Sequence, residues 1–102
     1  MATESSLGID ELLRDKRHDI LRLAQARHAY NVRVFGSVAR SEASEASDVD
    51  FLVDFEPGYT LWDHIGLMQD LSELLGRDVD VATEDTLKQR VKDRILHEAV
   101  AL

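Results

Sequence analysis

Two aspartates, Asp48 and Asp50, stand inside a strand pattern, and that placement constrains the chain more than any other feature. From Asp48 to Phe55 the residues alternate: Val49, Phe51, Val53 and Phe55 fall on one side, Asp48, Asp50, Leu52 and Asp54 on the other. Such alternation predicts a strand, ended by Pro57-Gly58. Aspartate is poorly suited to a strand, so the pair needs a reason. Side chains at i and i+2 share a face, about 6.5–7 Å apart by the strand rise. Carboxylates placed so repel each other unless they are solvated, protonated or bridged by cations. Asp80 has the same setting, between Val79 and Val81 in a second strand-like run, Asp78–Ala82. If the two strands are neighbours, three carboxylates meet at one sheet edge. Mg²⁺, which takes hard oxygen ligands together with substrate phosphates, suits that arrangement. The plainer alternative is that these are edge-strand charges that block aggregation.

The other elements follow from periodicity. Ile9, Leu12, Leu13, Ile20, Leu23 and Ala24 describe one face of an amphipathic helix running to about Ala29. A short strand follows at Tyr30–Phe35, ending at Gly36, and then a small polar turn or short helix at residues 37–47. Leu61, Ile65, Met68, Leu71 and Leu75 repeat at helical spacing, with Trp62 and Leu74 widening an inward stripe, and Gly76 is placed as a C-cap. Thr83 to Asp85 offer N-cap chemistry for a last helix, with Leu87, Val91, Ile95 and Ala99 inward and Lys88, Arg90, Lys92 and Arg94 outward. The order α-β-α-β-α-β-α predicts an α/β (α+β) fold, a small sheet covered by helices, in one domain over residues 1–102. His18 and His64 are expected on solvated helix faces.

Gly36-Ser37 sharpens the reading of the aspartates. A glycine closing a strand, followed by a small hydroxyl residue, exposes backbone N–H groups that suit a phosphate. Ten residues separate Ser37 from Asp48, so the chain reads G-S-x₁₀-D-x-D, with a third strand aspartate later. Arg40 can reach the same phosphate or form a surface pair with Glu42 or Glu45.

Gly36-Ser37-Val-Ala39-Arg40, Ser47-Asp48-Val-Asp50-Phe-Leu-Val53 and Val79-Asp80-Val81 together resemble the minimal nucleotidyltransferase family of the DNA polymerase β superfamily. The similarity spans about residues 30–100, and the closing Ile95-Leu-His-Glu-Ala-Val100 looks like the family's C-terminal helix. The resemblance implies the polymerase-β-like fold, a small mixed sheet flanked by helices, with Asp48, Asp50 and Asp80 binding Mg²⁺ (two ions) and serving catalysis. It also implies that Gly36 and Ser37 hold the triphosphate of ATP, and that Asp80 is the base. Many such small proteins are antitoxins paired with an all-helical HEPN-type toxin ribonuclease, to which they transfer AMP on a tyrosine. The resemblance therefore implies a hetero-oligomer with such a toxin. One departure is local: the family usually reads A-R-G-E-A here, and this chain has Ser41 in the glycine position, which lacks glycine's freedom to take positive φ.

Composition narrows the alternatives. With no cysteine, a disulfide framework, a Cys zinc site and a thiol nucleophile are excluded. No apolar run approaches the ~20 residues of a membrane span, and the N-terminus lacks a leader pattern, so a soluble cytoplasmic protein is expected. The net charge is −8, and residues 42–85 hold thirteen Asp/Glu against the single Arg77. So acidic a middle disfavours direct nucleic-acid binding. Two rival functions are a non-catalytic antitoxin that masks its toxin by binding, and a transferase acting on a small molecule or an RNA end. The second normally needs a further domain to hold the acceptor.

Overall fold

The computed structural model describes residues 7–102. A four-stranded sheet has the order β3-β2-β1-β4, with β1 at Ala29–Phe35, β2 at Val49–Phe55, β3 at Val79–Ala82 and β4 at Val100–Ala101. β1 is antiparallel to β2 and to β4, whereas β2 and β3 run parallel. The sheet is therefore mixed, as the family resemblance implies.

The two sheet faces are covered differently. Val32, Val34, Val49, Phe51, Val53, Val79 and Val81 form the inner face of the main core. The helices α2 (Arg17–Ala26) and α4 (Leu61–Leu75) cover it with Ile20, Ala24, Leu67 and Leu71. On the opposite face, α5 (Gln89–Glu98) lays Ile95 over Leu52 and Ala82, with Phe35, Leu87, Val91, Leu96 and Ala99 around them. Leu52 is therefore fully buried although it shares a face with the aspartates. α5 covers only part of this face, and the end carrying Asp50 and Asp80 remains partly open.

Several elements differ from the sequence expectation. The long N-terminal helix is broken into α1 (Ile9–Leu12), a 3₁₀ turn (Arg14–Lys16) and α2. No apolar residue lies between Leu13 and Ile20 to continue the stripe, and both of these are fully buried. Thr83–Asp85 open a separate 3₁₀ turn instead of α5, whose helical residues start at Gln89. β4, two residues long, carries too short a signal to be seen in the pattern. In α4 the inward face is centred on Gly66, Leu67 and Leu71. Trp62 and Leu61, expected inside, are 76% and 69% exposed. His64 is half-buried and its Nε2 lies 2.7 Å from the Val81 carbonyl, so it ties α4 to β3 instead of facing solvent. Gly76 does terminate α4, with φ +67°.

α2 and α4 are also clamped by charge. Arg27 Nε donates to Asp70 Oδ2 at 2.9 Å, and its guanidinium lies flat against Gly66, where any Cβ would strike it. Elsewhere, β1 carries an irregularity between Tyr30 and Arg33, with Asn31 at φ +52°. That residue's amide reaches Asp54 Oδ2 at 2.9 Å. Among the described residues, no helix is long and apolar enough to cross a membrane.

Candidate active site

The register of three strands brings the predicted residues to one end of the sheet. Asp50 pairs with Phe35 of β1 on one side and with Asp80 of β3 on the other. In a parallel pair, residues in register point to the same face, so the two carboxylates project side by side. Asp48 lies just before β2 and is exposed.

Gly36 follows the end of β1 and opens α3 (Gly36–Ala39), a single turn. Its φ is +78°, and a Cβ at this position would meet the Asp50 carboxylate. Glycine is required twice over here, by the backbone conformation and by the close approach. Ser37 is the next residue of the same turn and is half-buried. Arg40 ends the turn, with Nε 3.0 Å from Glu42 Oε1. The expected surface pair with Glu42 is formed, but it is only half of what this guanidinium does.

The other half involves Glu98, which sequence reasoning did not single out. From the last position of α5 its carboxylate accepts the Gly36 N–H at 2.7 Å and contacts Arg40 Nη1 at 3.1 and 3.2 Å. A signal was available: a carboxylate in the last turn of a helix opposes the helix dipole and asks for a compensating partner.

The electrostatics single out Asp50. Its carboxyl is pushed up to about 6, first by burial, then by Asp80 and Asp48, with Arg40 opposing the shift and Glu98 adding to it. One carboxylate half-withdrawn from water among three others is a site that lacks positive charge. Among the described residues no three such side chains are close enough as they stand to hold a metal ion. The donors are nonetheless all hard oxygens, and the glycine cradle keeps the Asp50 carboxylate in place, so the set fits Mg²⁺. Ser41, which follows this turn, adopts φ +59° despite being a serine. The residue therefore holds a left-handed backbone without glycine's freedom.

Comparison with known proteins decides the family. Residues 17–102 match the family described as Nucleotidyltransferase domain. The chain belongs to this family. As a nucleotidyltransferase it is an enzyme, and its relatives narrow the type. It is 43% identical over 79 residues to the protein adenylyltransferase MntA of Thermococcus cleftensis, covering 74% of this chain and 80% of the relative. It is 49% identical over 67 residues to MJ0435 of Methanocaldococcus jannaschii, provisionally named a protein adenylyltransferase, covering 66% and 72%. A solved structure provisionally described as a minimal nucleotidyltransferase superposes with a TM-score of 0.82 at 45% identity, over 97% of this nucleotidyltransferase and 100% of that chain. A toxin–antitoxin structure with AMP-PNP shares the fold, with a TM-score of 0.72 at 18% identity over 84% and 71%.

Proposed function

We propose that this nucleotidyltransferase is an antitoxin that transfers AMP from Mg-ATP to a tyrosine of a partner HEPN-type toxin and thereby neutralises it. The observation that carries the reading is the placement of Asp50 level with Asp80, against the Gly36 cradle. The names of relatives, protein adenylyltransferases and a toxin–antitoxin pair, support the choice of acceptor class.

Asp48, Asp50 and Asp80 would hold magnesium, which would offset the charge of the triphosphate and of the departing pyrophosphate. Gly36, Ser37 and Arg40 bind the phosphates and orient the α-phosphorus towards the acceptor. Asp80, the exposed member of the strand pair, takes the proton of the tyrosine hydroxyl. The phenolic oxygen bonds to the α-phosphorus as the bond to the β-phosphate oxygen breaks, and pyrophosphate leaves. A hetero-oligomer with the toxin delivers the tyrosine to the open end of the sheet.

The test seeks a helical protein encoded beside this chain, incubates the two with labelled ATP and Mg²⁺, then weighs the partner. A gain of one or more AMP masses, lost in Asp50→Asn, is expected. Tight complex formation without mass gain leaves the masking antitoxin in its place.

A further inference from the structure

Glu98 is the one group at the site that the reaction above does not use. Its side chain is only 18% exposed, and it occupies the Gly36 amide at 2.7 Å and Arg40 Nη1 at 3.1 and 3.2 Å. Both partners are residues assigned above to the triphosphate. An amide hydrogen that points at a carboxylate is not free for a phosphate oxygen, and a guanidinium nitrogen already in a charge-assisted pair is likewise engaged. The carboxylate thus stands where an anionic ligand would make its contacts.

We infer that Glu98 is a built-in competitor of the triphosphate: the nucleotide binds by displacing its carboxylate from Gly36 and taking over Arg40. The backbone around Glu98 is anchored. α5 packs through Ile95 over Leu52, and the next residues enter β4, where Val100 pairs with Val34 and Ala101 with Arg33. Displacement is therefore a rotation of the Glu98 side chain, with no unwinding of the helix. In the free protein the same contacts hold the turn in its binding shape. The inference rests on the assignment of Gly36 and Arg40 to the phosphates.

Titration calorimetry with inorganic tripolyphosphate and with ATP, both in EDTA, tests it without involving a metal. Glu98→Ala is expected to bind either probe about tenfold tighter than the wild type, the equivalent of relieving competition by one charge-assisted hydrogen bond. Glu98→Gln, which loses the charge but can still accept from Gly36, should fall between, and this isosteric variant carries the test if the alanine variant melts early. Removing Arg40 as well should abolish most of the gain. Equal or weaker binding by the folded variants overturns the inference. AMP transfer by the wild type without any such gain sinks the competitor alone. A gain in affinity without AMP transfer leaves the competitor standing and removes the proposed reaction.

Discussion

Asp50 lies level with Asp80 across the parallel pairing of β2 and β3, so two carboxylates share one face of adjacent strands. Hydrogen bonding of the strands fixes this closeness, and side-chain rotation can relieve only part of the repulsion. Burial first, and then the neighbouring Asp80 and Asp48, push the Asp50 carboxyl up to about 6.

That shift has a definite sign in stability. The Asp50 carboxyl holds its proton to a higher pH in the folded protein than the ordinary value of 3.8. Its contribution is therefore fully present below that value and is lost as pH rises through about 6. Asp50→Asn removes the penalty. In EDTA at pH 7.5 the variant should be more stable by about 1 kcal/mol, a figure discounted for the carboxylate's contact with solvent. The difference should vanish towards pH 4. Urea unfolding at the two pH values measures it, and AMP transfer should be lost in the same variant.

Gly36→Ala should do the reverse. A Cβ at φ +78° is strained and also strikes the Asp50 carboxylate. A loss of at least about 1–2 kcal/mol is expected from the backbone alone, with transfer abolished even at temperatures where the variant is folded. Wild-type turnover in a folded Gly36→Ala protein contradicts the cradle.

Ser41→Gly should stabilise. Ser41 holds φ +59° without glycine's freedom, and releasing that strain outweighs the extra entropy of glycine in the unfolded chain. A gain of about 0.5–1 kcal/mol is expected, read as a rise of a few degrees in Tm by differential scanning calorimetry.

At Gly66 two effects of similar size oppose each other. Alanine improves helix propensity by about 1 kcal/mol, but its methyl displaces the Arg27 guanidinium and breaks the partly exposed pair with Asp70. Gly66→Ala alone should be close to neutral. In an Arg27→Ala background the same change should stabilise by about 1 kcal/mol. A double-mutant cycle by chemical denaturation isolates the coupling.

What the sequence revealed depended on how far each signal extends along the chain. The strands around Asp50 and Asp80 alternate over several residues, and Gly76 punctuates a helix of fifteen, so their placement was legible. The pattern leaves their adjacency conditional, and the β2–β3 register meets that condition. Trp62 and Leu61 fit a helical stripe by spacing alone, but they sit in the first turn of α4 and are exposed, whereas Leu67 and Leu71 further along are buried. Spacing says which residues share a face and not where the covering partner ends. Glu98 offers only a local signal, its place in the last turn of α5: its partners Gly36 and Arg40 lie 62 and 58 residues away, and only the folded sheet brings them together. Ser41 shows the converse: the residue stands out in the sequence, but only the fold shows that it takes a positive φ.

Trp62 has a practical consequence. It is the only tryptophan in the chain, and it stands 76% exposed at the start of α4. Nearly all long-wavelength ultraviolet emission of this protein therefore arises from one water-facing indole. Assembly that dries that corner of the surface should shift the emission to the blue, and a partner that docks elsewhere should leave it unmoved. The molecule carries its own optical label for locating where a partner protein sits.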